Sequence, residues 1–169
     1  AEGPLLIVAG AGSGKTKVLT TRIAHLIQER GVSPFEILAI TFTNKAADEM
    51  KHRVGALVGP VAEKMWVSTF HSACVRILRR DAHHLGYTSS FTIYDQADAV
   101  RLTSYVLRDQ NVDAKKFPPR SVHAIISQAK NDLVSAGEYE SRARTIYEKR
   151  IGEVYTEYQT RLRAANAMD

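Results

Sequence analysis

Eight residues near the start of the chain, Ala9-Gly10-Ala11-Gly12-Ser13-Gly14-Lys15-Thr16, put three glycines, an ammonium and two hydroxyls into one short loop. Glycine tolerates positive φ and lets backbone come close to a ligand. Loop N–H groups can then converge on phosphate oxygens, and a helix that starts there adds its positive pole. Ala9, Gly14, Lys15 and Thr16 satisfy the spacing [AG]-x-x-x-x-G-K-[ST] of a phosphate-binding loop. In that chemistry Lys15 reaches the β- and γ-phosphates of a nucleotide, and Thr16 offers its hydroxyl to Mg²⁺. Lys15 and Thr16 are thus the candidate catalytic residues, and Thr16 is the candidate metal ligand. The bland alternative is a glycine turn before a helix. The loop does not name an activity, because kinases, GTPases, transporters and motors share it.

A second stretch carries different chemistry. Ile40-Thr41-Phe42-Thr43-Asn44-Lys45-Ala46-Ala47 follows an apolar run and opens a helical pattern. In a parallel sheet this is the carboxyl edge, where ligands bind. It offers a ring, two hydroxyls, an amide and a helix start, which suit a nucleic-acid backbone with one base stacked on Phe42. A capped helix start with Phe42 in the core fits the residues equally well.

The elements that must position these groups read as follows. Leu5–Val8 predicts a buried strand. Lys15–Gln28 predicts a helix with Val18, Leu19, Ile23, Leu26 and Ile27 on one face. Ile37–Phe42 is a second strand, Lys45–Leu57 a helix, Trp66–Thr69 a third strand and His71–Leu85 a third helix. Strands alternating with helices indicate an α/β fold with a parallel sheet. Strand signals stop after Phe91–Tyr94. Asp95 is a plausible N-cap for a helix through Gln110, Arg120–Val134 is another, and Glu138 to about Ala167 reads as one long helix. Its apolar stripe is Tyr139, Ala143, Ile146, Ile151, Val154, Tyr158 and Leu162. The boundary between an α/β unit, 1–94, and a helical unit, 95–169, therefore falls near residue 95.

The 169 residues suit one domain or two small ones, and 44% hydrophobic with 24% charged content is ordinary for a globular chain. The net charge of +5 fits a polyanionic partner without requiring one. One cysteine, Cys74, excludes a disulfide within the chain and suits a reducing cytosol. The longest apolar runs fall far short of the roughly 20 residues that span a bilayer. LLIV runs into a glycine loop and not into a cleavage site, so a cytoplasmic, non-membrane protein is expected. The ends look cut, so a piece of a longer chain is expected.

AGAGSGKT, AITFTNKAADEM and VSTFHSACVRILRR, in this order and spacing, closely resemble the superfamily 1A DNA helicases of the UvrD/PcrA/Rep type. The likeness extends to SQAKNDL and YTEYQTRLRAANAMD, and so over essentially the whole chain. It implies a RecA-like P-loop core interrupted by an all-helical insertion. It also implies ATP-driven 3′→5′ translocation on single-stranded DNA, with unwinding at single-strand/duplex junctions in repair or replication. By motif, Ala9, Gly10, Ala11, Gly12, Ser13, Gly14, Lys15, Thr16 and Lys17 would hold ATP and Mg²⁺. Thr41, Phe42, Thr43 and Asn44, then Thr69, Phe70, His71 and Ser72, would line the DNA track. Lys130 and Asn131 are further candidates for DNA contact, a solvated helix face being the alternative.

One departure stands out. The family commonly has arginine after the P-loop threonine, where its flat guanidinium stacks on adenine. This chain has Lys17, which cannot stack in the same way. The family's DExQ element, arginine fingers and adenine-reading glutamine motif have no counterpart in these residues, so the isolated chain is expected not to turn over. Cys74 and Trp66 read as core residues, and His83 and His84 lack a second ligand cluster for a metal. Between Lys115 and Arg163, ten Lys or Arg against six Asp or Glu leave a net +4, mostly solvated surface. Rival classes are a small P-loop kinase, a module that uses ATP only as a conformational ligand, and a RecB-like nuclease-helicase subunit.

Overall fold

The computed structural model describes residues 3–10 and 12–169. The chain divides into two compact units, Ala1–Ile77 and Leu78–Asp169.

In the first unit, helix α1 (Lys15–Gln28) begins directly after Gly14, and Gly31 turns the chain at φ 64°. Strand β1 (Leu38–Thr41) leads into α2 (Asn44–Val58), and strand β2 (Trp66–Thr69) leads into α3 (Phe70–Asp81). The strands pair in parallel, from Leu38 opposite Trp66 to Thr41 opposite Thr69. Helix α2 packs on α1 and on both strands. Its Ala47, Met50 and Val54 meet Ile23 of α1 and Ala39 and Val67 of the sheet in one apolar cluster. Both strands therefore end at the same edge, each one residue before a phenylalanine.

The apolar run Leu5–Val8 departs from expectation. It enters no ladder among the described residues, and Leu6 and Val8 are 87% and 90% exposed. A continuous apolar run promises burial on two faces, but a strand also needs neighbours to complete its hydrogen bonds. Here β1 and β2 pair with each other and not with this run. For the same lack of a cover, Val18 and Leu19 of α1 are exposed, whereas Ile23 is buried.

In the second unit, α4 (Gln96–Asp109) starts at an Asp95–Asp98 capping box, and α5 (Pro119–Asn131) follows Pro118. The single long helix expected beyond Glu138 is two helices, α6 (Ala136–Arg142) and α7 (Ile146–Ala164). Capping boxes at Ser135–Glu138 and Thr145–Glu148 start each one, and Ala143 between them is extended. The box at Thr145 satisfies a helix start that the apolar spacing ran straight through. The helix also ends before Ala167. Strand β4 (Ala167–Met168) pairs in parallel with β3 (Thr92–Ile93), so this part is not purely helical. Asn166 secures that ladder, its side-chain Nδ2 donating to the Thr88 hydroxyl at 2.7 Å and its side-chain Oδ1 accepting from the Thr88 N–H at 2.9 Å. The core of α4, α5 and α7 comprises Val106, Leu107, Val122, Ile126, Val154, Tyr158 and Leu162.

Two further expectations change. Cys74 is exposed on α3, not core. Trp66 is half-buried, with the Arg76 guanidinium stacked 4.6 Å from its ring centroid.

Candidate functional site

The phosphate-loop candidate spans Ala9–Lys17; Ala11 lies outside the described residues. Gly12 and Gly14 hold φ of 75° and 83°, a region where a β-carbon is strained. Ser13 braces the loop, its Oγ donating to the Gly10 carbonyl at 2.6 Å. Gly14 is the N-cap of α1 and brings no side chain to cap it. The first-turn N–H groups, which no intrahelical carbonyl can reach, therefore point back toward the loop. The Lys15 ammonium donates to the carbonyls of Ala9, at 2.9 Å, and Gly10. Gly12 through Lys17 are exposed, and a β-carbon at Gly10, Gly12 or Gly14 would meet no atom within 4 Å. The loop is open and combines a cation, a helix pole and unshielded backbone donors.

The second cluster sits at the carboxyl edge of β1 and β2. Thr41 and Thr69 are register partners, so Phe42 and Phe70 emerge side by side. Their ring centroids lie 5.6 Å apart at 55°, within the range of a tilted aromatic pair. Phe42 is 91% exposed, which overturns the reading that buries it in the core. Thr43 caps α2 by accepting the Ala46 N–H at 3.1 Å, and Thr41 Oγ1 donates to the Thr43 carbonyl at 3.0 Å. Asn44 begins α2 and is exposed; His71 and Ser72 lie exposed on the first turn of α3. Thr69, by contrast, is only 9% exposed.

Lys130 and Asn131 belong to the second unit. Asn131 is exposed at the end of α5. Lys130 is engaged inside its own unit, in an ion pair with Asp169 and 5.2 Å from the Tyr158 ring centroid. Tyr158 donates to the other Asp169 oxygen at 2.8 Å. Burial acts to raise the Asp169 pKa, but the Lys130 hydrogen bond and charge and the Tyr158 hydroxyl together hold it below the usual carboxylate value.

The pairing of Phe42 with Phe70 is not evident from either motif alone. Its signal is the dipeptide Thr-Phe, which closes both strands. Two strands in parallel register bring identical endings together.

The whole-chain comparison agrees with this architecture. A family described as UvrD/REP helicase N-terminal domain matches residues 1–169, and the chain belongs to that family. Among its relatives, a protein named ATP-dependent DNA helicase PcrA from Bacillus subtilis (strain 168) is 51% identical over 168 residues. Proteins of the same name from Staphylococcus aureus (strain Mu50) and Staphylococcus epidermidis (strain ATCC 35984) are each 52% identical over 168 residues. The alignments cover 99% of this chain and 23% of each relative, so the chain spans about a quarter of their length.

Proposed function

We propose that this chain is the N-terminal part of an ATP-dependent DNA helicase. In this reading it grips ATP with Mg²⁺ at the loop Ala9–Lys17 and single-stranded DNA at the carboxyl edge of β1 and β2. Residues 1–94 would belong to a RecA-like core and 95–169 to an inserted subdomain, as the family resemblance implies. Lys15 would hold the β- and γ-phosphates, and the Thr16 hydroxyl would hold Mg²⁺, which supplies charge neutralisation when bound. The reaction is in-line attack of water on the γ-phosphate. The ammonium of Lys15 and the first-turn N–H groups of α1 stabilise the charge that develops on the phosphoryl oxygens. Lys17, in place of the family's arginine, would grip adenine less firmly. The water-activating carboxylate and the arginine fingers are not among these residues, so the chain alone is expected to bind without turnover. The parent would translocate 3′→5′, act at single-strand/duplex junctions in repair or replication, and work in the cytoplasm.

The observation that carries the DNA half is the exposed Phe42–Phe70 pair beside two helix starts. Rings offer stacking to successive bases, while the helix N-termini and Lys45 offer donors and charge to phosphates. The test is fluorescence anisotropy of a labelled single-stranded oligonucleotide against the chain at low and moderate salt. Phe42→Ala should weaken binding about tenfold, the loss of one base–aromatic stack. Affinity unchanged at both salt concentrations would reduce the interaction to generic basic attraction and sink this reading.

A further inference from the structure

The resemblance places Thr69 on the DNA track, yet its side chain is buried and bonded within the protein. It is the last residue of β2, and Phe70 already belongs to α3. The chain must pass from extended to helical between these two residues with no linker. The Thr69 hydroxyl manages that turn. It accepts the Ser72 N–H at 3.3 Å and donates to the Ser72 hydroxyl at 2.9 Å. An acceptor bound to the third N–H of a helix is an N-cap. At 9% exposure, with its proton and a lone pair both engaged, this hydroxyl has little left to offer a phosphate.

The two aromatic residues differ in what holds them. Phe42 directly follows Thr41, the last residue of β1, and precedes Thr43, the residue that caps α2. Phe70 follows its capping residue, Thr69, and so moves with the first turn of α3. The platform exists only while that turn stays beside β1. Register pairing of Thr41 with Thr69 fixes the two strand ends, and the Thr69 cap fixes the helix to its strand.

We propose that Thr69 is a positioning residue for single-stranded nucleic acid. It holds Phe70 against Phe42 through the buried cap of α3 and does not itself touch the ligand. The proposal rests on the reading that the carboxyl edge binds nucleic acid.

The experiment is a cycle of variants of this chain, titrated against fluorescein-labelled oligothymidine at several salt concentrations. Thr69→Val keeps the branched shape and removes the hydroxyl; Thr69→Ser keeps the hydroxyl. Valine should weaken binding about fivefold, the scale of a lost cap, and serine should restore it to within about twofold of wild type. In a Phe70→Ala background, Thr69→Val should add nothing, since the group it positions is gone. An equal loss in both backgrounds would mean that Thr69 acts on the ligand independently of Phe70, and would overturn the proposal. So would wild-type affinity in Thr69→Val. Should the valine variant not fold, Thr69→Asn answers the same question, because an asparagine amide also caps a helix. Retained affinity then supports capping, and lost affinity with the fold intact overturns it. Equal binding by wild type and Phe42→Ala would instead remove the nucleic-acid edge itself, and this proposal with it.

Discussion

His123 is sealed inside the second unit at 4% exposure, and its Nδ1 makes no hydrogen bond. Its ring lies against Tyr158 of α7, centroids 6.0 Å apart, with Asp169 and Lys130 as the charged groups that influence it. Burial lowers its pKa, and Lys130 adds to this; the opposing pull of Asp169 is outweighed. As pH falls through about 6.5, the unfolded chain takes up a proton that folded His123 resists, so stability declines. The other five histidines, His25, His52, His71, His83 and His84, are all exposed. Urea midpoints measured from pH 7.5 to 5 should fall, and His123→Phe should flatten the fall; parallel slopes would contradict this account. The carboxylate of Asp169, held low by Lys130, titrates below that window. At this scale the sequence was most readable where chemistry depends on local spacing. The glycine loop and the Thr-Phe endings are contiguous strings. The exposure of Phe42 and Cys74 and the burial of Thr69 were not readable, because each depends on which distant surfaces arrive beside it.

Helices α6 and α7 meet at a position with no side chain. A β-carbon built on Gly152 would lie 3.1 Å from the Glu140 Cα and 3.2 Å from its Cβ. The obstruction is backbone, which cannot swing aside like a side-chain tip. Gly152→Ala should therefore destabilise the chain, although alanine favours a helix interior by about 1 kcal/mol. Overpacking of this kind costs about 1–3 kcal/mol, so the clash wins. A lower urea midpoint than wild type is the expected result; a higher one would show that α6 yields freely. The Thr156 hydroxyl also donates to Glu140 across the same seam, at 3.4 Å, and the Tyr155 hydroxyl reaches the Val134 carbonyl at 3.1 Å. Most helices were legible because their apolar periods and caps lie within a few residues. The break between α6 and α7 was hidden because the apolar stripe continued through it, even though Thr145-x-x-Glu148 spells a capping box. The ladder of Thr92–Ile93 with Ala167–Met168 was hidden for another reason. Two-residue strands carry no period, and their pairing is decided by how the helices between them pack.

Among the described residues there are two hydrophobic clusters, one in each compact unit. They are not equally complete. The first unit leaves the run Leu5, Leu6, Ile7, Val8 and, on α1, Val18 and Leu19 exposed, where the second leaves single residues such as Leu133 and Ile146; the described residues of each unit form a two-stranded sheet. Two paired strands gain independent stability only from what packs on them. The second unit fully buries Tyr158, Phe91, Leu107, Ile126, Ile151 and Leu162. Apolar area withdrawn from water is the main stabilising term, at about 25 cal/mol per Å², so the first unit should unfold at lower urea. The sequence supplies its own reporters. The single tryptophan, Trp66, lies in the first unit, and all seven tyrosines, from Tyr87 to Tyr158, lie in the second. Trp66 emission should therefore change before the tyrosine signal and before most of the helical circular dichroism is lost. Coincident transitions by all three probes would instead mean that the two units unfold as one cooperative body. In the expected case, any nucleotide or oligonucleotide that binds the first unit should draw the tryptophan transition toward the tyrosine one, because a ligand stabilises only the state that holds it.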